Sequence, residues 1–160
     1  QLDEDIVRAA FLEMSSPGRC EIVRRSPTVI VDAAHNPHGA AALAETLATE
    51  FDFQHTVGVV AVLAEKDAYG LLGALEPVLD EVVVTRNGSP RATPIGDLAA
   101  IAAEIFGEER VFAAESLAEA AEVATEIVDR YAGEGGLGIV ITGSVVTAAE
   151  ARALYGRSSA

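Results

Sequence analysis

The chain has no tryptophan, one methionine, one cysteine and one lysine in 160 residues, and aromatic side chains are only 5% of it. A single cysteine, Cys20, excludes an internal disulfide framework and any zinc site built from several thiolates. A reducing, cytoplasmic setting fits that scarcity. Chemistry that needs a lysine must use Lys66 or come from another chain segment. The three histidines, His35, His38 and His55, show no H-E-x-x-H spacing, so no metal site is expected within the chain. There is no G-x-x-x-x-G-K-[ST] phosphate loop and no G-x-S-x-G nucleophile elbow. Residues 133–138 spell G-x-G-x-x-G, but they follow a helical pattern and precede a strand pattern. A dinucleotide fingerprint needs the reverse order, so the run reads as a connection. Positive charge is also scarce: 11 basic against 25 acidic residues give −14, a field that repels DNA and anionic lipid. No apolar run approaches the roughly 20 residues that span a bilayer. Neither a nucleic-acid partner nor a membrane is therefore expected.

What is present is globular. Half of the residues are hydrophobic and 22% are charged, a composition that folds rather than staying disordered. The length suits one domain, spanning 1–160. The opening, 1–12, lacks an initial methionine and runs from acidic to amphipathic, which reads as the middle of a longer chain.

Two patterns alternate. β-rich apolar runs occupy 21–24, 28–32, 56–63, 81–85, 111–113 and 138–142. Between them, 37–51, 67–79, 97–106 and 116–131 repeat apolar residues at i, i+3, i+4 and i+7, as amphipathic helices do. A last short helix is expected over 145–154. Asn36-Pro37 places a capping residue before a proline at the first helical position. Ser116 with Glu119 forms a capping box, and Gly107 and Gly133 sit where helices should stop. Strands apolar on both faces and separated by helices predict a doubly wound α/β domain. Its sheet is mostly parallel with helices on both faces, and a strand of irregular direction is expected near the N-terminus.

In such sheets ligands bind beyond the carboxyl ends of the strands. The run TVIVD ends in Asp32 and continues through Ala33-Ala34-His35-Asn36 into a helix. Asp32 can accept from a ribose diol or simply shape the turn, and His35 can donate to a phosphate or carboxylate. The strand GIVITGS ends in Ser144, a ligand contact or a helix cap. Lys66 follows a third strand, where it is either an anion contact or a surface charge. Asp67 reads as the next helix's cap. Arg19, after Pro17-Gly18, stands at the start of a strand. The loop 86–94 is the longest polar irregular stretch.

The strings SPGRCEIV and PTVIVDAAHNPHGAAAL, followed by AEKD, DEVVVTR, SPRA and ITGSVVTAAEAR, resemble the folylpolyglutamate synthase/dihydrofolate synthase family. That family lies within the muramyl-ligase superfamily of ATP-dependent amide ligases. The resemblance implies a Rossmann-like C-terminal ligase domain whose partner, an N-terminal P-loop ATPase domain holding the magnesium ligands, is not in this chain. It further implies ATP and Mg²⁺ as cofactors, and L-glutamate and a folate or dihydropteroate as substrates. Arg19 and Asp32 would contact ATP. His35 would be catalytic and, with Ser144, would lie near glutamate, while Lys66 would be a possible anion contact. The chain departs from the family after Gly143-Ser144, where Val145-Val146-Thr147-Ala148 replace bulkier residues. Two alternatives remain open: the equivalent domain of another muramyl-type ligase, and a free-standing binding module without catalysis.

Overall fold

A computed structural model of the chain describes residues 18–156; the stretch 1–12 and Pro17 lie outside the described residues. The elements run β1 (Glu21–Arg24), β2 (Thr28–Val31), α1 (Pro37–Glu50), β3 (Phe53–Val60), α2 (Ala68–Leu75), β4 (Glu81–Val84), α3 (Ile95–Phe106), β5 (Val111–Ala113), α4 (Leu117–Asp129), β6 (Gly136–Thr142) and α5 (Val145–Leu154). They form one sheet in the order β1-β2-β6-β3-β4-β5. β1 pairs antiparallel with β2, in the register Glu21↔Val31 and Ile22↔Ile30. Every other pairing is parallel. This is the doubly wound, mostly parallel architecture that the sequence pattern implies, with its one reversed strand near the N-terminus.

The two-residue period of the strands sorts their side chains between two cores. Ile30, Val60, Val82, Val84 and Val140 point toward α1, α2 and α3, where they meet Leu43, Leu47, Leu71, Leu72, Leu75 and Leu98. Val29, Val31, Val57, Val59, Val83, Ile139 and Ile141 point the other way, onto Leu117, Ala124, Ile127 and Val128 of α4 and Ala148 and Ala151 of α5. Burying each such valine or leucine contributes roughly 1.5–3 kcal/mol, and burial on both faces explains the continuous apolar runs.

Several element boundaries differ from the sequence reading: β3 spans 53–60 rather than 56–63, β6 starts at 136 rather than 138, α3 starts at 95 rather than 97, and α4 spans 117–129 rather than 116–131. Residues 67–79 do not form one helix: α2 ends at Leu75 and a 3₁₀ turn, Glu76–Val78, follows. Pro77 has no N–H to continue the i→i−4 ladder. β3 begins at Phe53, before residue 56, because β6 reaches back to Gly136 and supplies it with a partner. The capping box is also displaced. Ser116 Oγ accepts from the Glu119 amide at 3.1 Å, but Glu119 Oε1 accepts from Glu115 N, one residue before the cap.

The site's position follows from the strand order. The connection β2–α1–β3 passes over β6, so the chain leaves β2 and β3 on either side of the central strand. The carboxyl ends of β2, β6 and β3 thus open side by side at the point where the winding reverses, which is where doubly wound sheets bind ligands.

Candidate functional site

Three strand ends and one loop meet at this edge. His35 from the β2 exit, Leu63, Glu65 and Lys66 from the β3 exit, Arg91 from the β4–α3 loop, and Ser144, Val145 and Val146 from the β6–α5 turn line a pocket of about 220 Å³. His35, Lys66 and Ser144 are thereby brought together. Arg19 and Asp32 are not among the lining residues. They sit at the neighbouring Gly18–Cys20 turn, beside the hairpin of β1 and β2.

Asp32 directly follows β2 and is partly buried. Its Oδ1 accepts from the Cys20 amide at 3.1 Å. Burial pushes its pKa above the ordinary value, opposed by the Cys20 and Ala34 amides and the Arg19 charge. Its carboxylate therefore holds the turn that carries Arg19. The turn is fixed twice more: Ala33 N donates to Gly18 O at 2.6 Å, and Gly18 N donates to Glu21 Oε1 at 2.9 Å. Glu21 is in turn paired with Arg152 of α5 at 2.6 Å, both side chains largely buried. Gly18 adopts φ +80°, a left-handed conformation that glycine accepts without strain. Cys20 is no nucleophile: burial, with the Asp32 and Glu50 charges, pushes its thiol up to about 12.

The His35 ring is oriented by its own loop. Nδ1 lies 3.2 Å from the Ala33 carbonyl oxygen. A carbonyl only accepts, so Nδ1 carries the hydrogen and the neutral ring keeps a lone pair on Nε2. Asn36 caps α1, accepting from Gly39 N at 2.7 Å, and Asp67 caps α2 in the same way at 2.9 Å.

Ser144 reaches the pocket wall, but its hydroxyl is committed. It accepts from Thr147 N at 2.9 Å as the α5 cap and donates to Thr147 Oγ1 at 3.0 Å. Thr147 Oγ1 passes the chain on to Ala61 O at 2.8 Å. Asn87 completes the network, its Nδ2 donating to Ser144 Oγ at 3.2 Å and to Thr147 Oγ1 at 3.0 Å. All three side chains are buried. Gly143, before the cap, has φ +127°, and a Cβ there would run into the Ala61 carbonyl.

Arg91, Leu63 and Glu65 are lining residues that the sequence reading did not single out, and Arg91 is the basic one among them. It lay within the SPRA string and the polar loop, yet no periodicity marks which residue of an irregular loop turns inward. The structure pins this loop along the β3 exit. Ala64 N donates to Arg91 O at 2.7 Å, Thr93 N donates to Val62 O at 2.8 Å, and Leu63 bridges Ala92. The guanidinium Nη2 lies 2.9 Å from Glu65 Oε2, with 64% of the arginine side chain and 48% of the glutamate exposed. Pairs so exposed contribute about 0–1 kcal/mol, so the contact is readily exchanged.

A larger hollow of about 360 Å³ opens at the opposite edge of the sheet, between Leu47, Phe51, Phe53, Pro77 and Asp80. No basic side chain lines it, and it lies at the amino ends of the parallel strands. Among the described residues, no three His, Cys, Asp or Glu side chains gather to hold a metal ion, and no helix is long and apolar enough to cross a membrane.

The mostly parallel, doubly wound sheet makes this an α/β domain of the Rossmann-like class, with two basic side chains and an oriented imidazole at its switch-point pocket. The chain matches the Mur ligase, glutamate ligase domain over residues 18–145, and belongs to that family. It is 57% identical over 98% of its length to the dihydrofolate synthase/folylpolyglutamate synthase of Mycobacterium tuberculosis, of which it covers 34%. The structure of Mycobacterium tuberculosis folylpolyglutamate synthase complexed with ADP and AMPPCP matches it with a TM-score of 0.89 at 58% identity, over 99% of this chain and 36% of that one. A bifunctional folylpolyglutamate synthase/dihydrofolate synthase with Mn, AMPPNP and L-glutamate bound matches with a TM-score of 0.74 at 28% identity, over 89% of this chain and 32% of the other. The chain thus spans about a third of the length of these relatives.

Proposed function

We propose that the chain is the C-terminal domain of an ATP-dependent ligase that joins L-glutamate to a pteroate or folate carboxylate. The observation that carries this reading is the pocket at the switch point. In a protein of net charge −14, Lys66 and Arg91 converge on one small cavity beside His35. Two cations suit a substrate with two carboxylates. The relatives' complexes with ADP, AMPPCP, AMPPNP and L-glutamate support the same assignment.

The reaction has two stages. ATP phosphorylates the carboxylate, giving an acyl phosphate and ADP; the glutamate amine then attacks the acyl carbon, the tetrahedral intermediate expels phosphate, and one proton leaves the nitrogen. This domain's residues position and deprotonate. Lys66 and Arg91 hold the incoming amino acid. His35, its Nδ1 hydrogen fixed on Ala33, has Nε2 free to take the amine proton. The committed Ser144 hydroxyl shapes the wall, leaving the Ser144 and Val145 backbone to face substrate. Arg19 and Asp32 take the nucleotide, Arg19 by guanidinium pairing to phosphate and Asp32 at the ribose. Divalent metal, which neutralises phosphate charge in such reactions, would be held by an N-terminal ATPase domain of the full-length protein. The setting proposed is cytoplasmic.

The test is ADP release. The full-length polypeptide should require ATP, L-glutamate and a folate or dihydropteroate together, and the 160-residue chain alone should not turn over. Lys66→Ala in the full-length protein should impair glutamate kinetics while stability stays within roughly ±0.5 kcal/mol. ADP release by the full-length protein that is indifferent to glutamate would refute the assignment.

A further inference from the structure

We propose that Arg152 is a positioning residue for the nucleotide site: held on Glu21, it fixes the turn from which Arg19 projects. The inference rests on the proposed function, in which Arg19 pairs with phosphate, and adds to it the group that aims Arg19. Four observations carry it. First, the turn is strained. Cys20, immediately after Arg19, has φ +48°, a left-handed conformation that persists in a non-glycine residue only where surrounding contacts impose it. Second, the arginine depends on its backbone. Arg19 is exposed whereas Gly18 before it is buried, so the direction of the guanidinium follows from how the turn is set. Third, a carboxylate holds each side of that turn. Asp32 accepts from the Cys20 amide, and Glu21 accepts from the Gly18 amide. The Glu21 oxygen is committed twice, because the same Oε1 that accepts from Gly18 N also accepts from Arg152 Nε at 2.6 Å. Where that oxygen goes, Gly18 follows. Fourth, Arg152 is placed to hold it still. It stands in the last turn of α5, and α5 lies so close that a Cβ on Gly18 would come within 3.4 Å of Ala148 Cβ. The side chains of Arg152 and Glu21 are only 12% and 18% exposed. A cation that merely complemented the helix C-terminus would do so from water. Burying one incurs a desolvation cost that an ion pair barely offsets, so a fixed geometry explains the pair better than stability does.

Helix α5 thereby serves both halves of the site from opposite ends. Its first turn, through Ser144 and Thr147, holds Asn87 beside the pocket. Its last turn, through Arg152 and Glu21, holds the turn of Arg19. Arg152 does not line the pocket itself, so its loss should be felt by the nucleotide and not by the amino acid.

The experiment is a double-mutant cycle in the full-length polypeptide, read as KM for ATP and for L-glutamate. Arg19→Ala alone should raise the ATP KM by roughly ten- to a hundredfold, as expected for a lost charge-assisted contact. Arg152→Met should raise it by roughly three- to thirtyfold, while the L-glutamate KM stays within about twofold. In the Arg19→Ala background, Arg152→Met should add less than about twofold, because the group it positions is gone. Arg152→Lys should recover part of the loss, since charge returns without the planar fork. Glu21→Gln keeps an acceptor for Gly18 N at nearly the same volume and should shift the ATP KM in the same direction; it carries the test if Arg152→Met does not fold. An ATP KM within about twofold of the parent's, in Glu21→Gln or in folded Arg152→Met, would overturn the inference. So would an equal rise for ATP and L-glutamate, which marks general loosening, or a fully additive loss in the Arg19→Ala background, which marks a route other than Arg19. In each of those cases Arg19→Ala alone still weakens ATP, and the proposed function stands. An unchanged ATP KM in Arg19→Ala overturns the nucleotide assignment and the inference with it.

Discussion

Replacing Asn87 tests whether the buried polar network, rather than packing alone, holds the pocket together. Its side chain makes three hydrogen bonds: to Ser144 Oγ, to Thr147 Oγ1 and from Ser89 N. In Asn87→Ala these are lost, yet no hydroxyl is orphaned. Thr147 still donates to Ala61 and accepts from Ser144, and Ser144 still accepts from Thr147 N. At about 1 kcal/mol per bond the cost is roughly 3 kcal/mol, or about 6–12 °C in Tm for a domain of this size. Asn87→Asp has nearly the same shape and should do more harm. Both hydroxyl hydrogens are already directed elsewhere, so a carboxylate would place an acceptor, and a buried charge, against two acceptor oxygens. Thermal denaturation by circular dichroism at pH 7 should find the parent most stable, Asn87→Ala next and Asn87→Asp least, with the aspartate variant recovering toward pH 4 as it protonates. An aspartate variant as stable as the parent, or an alanine variant within about 2 °C of it, would refute the reasoning.

Other outcomes follow from single groups. Gly143→Ala forces a side chain onto a left-handed backbone and against the Ala61 carbonyl, so it should cost more than about 3 kcal/mol in chemical denaturation; a loss below about 1 kcal/mol would mean that the turn relaxes freely. Burial raises the Asp32 pKa above its ordinary 3.8, so the folded state binds that proton more readily than the unfolded one. The parent should therefore gain stability relative to Asp32→Asn as pH falls from neutral toward 4, and a difference of opposite slope would contradict the burial cause. With its thiol at about 12, Cys20 should be roughly one part in ten thousand thiolate at pH 8. Iodoacetamide should label it far more slowly in the native chain than in urea, and equal rates would contradict the assignment.

Periodic features were legible in the sequence because burial imposes them. Residues 21–24, 111–113 and 145–154 have the same bounds in the structure as in the pattern. Asn36, Asp67 and Ser116 cap the helices they precede. The site was half legible. Of the lining residues, His35, Lys66 and Ser144 follow strand ends, which a reader of parallel sheets inspects first, whereas Asp32, also singled out there, holds the neighbouring turn. Arg91 and Asn87 belong to an irregular loop whose geometry comes from distant partners, β3 for one and α5 for the other. No local spacing encodes contacts made across such separations. For the same reason the sequence left Ser144 open between ligand contact and cap. Which use its hydroxyl serves depends on Thr147 and Asn87 together, and Asn87 lies 57 positions away.

The central strand of the sheet, β6, is also the last of the described strands to be synthesised. Until it emerges, β2 and β3 have no shared neighbour, and the backbone edges that pair with it stay open. Roughly 75 residues separate β3 from β6, several seconds of translation at about 5–20 residues per second. The nascent domain therefore spends that interval as two half-sheets with open edges, the form most prone to wrong pairing. A stop codon between residues 114 and 136 would leave the chain with both half-sheets and no strand to join them, a substrate for chaperones and proteases rather than a shortened but working domain.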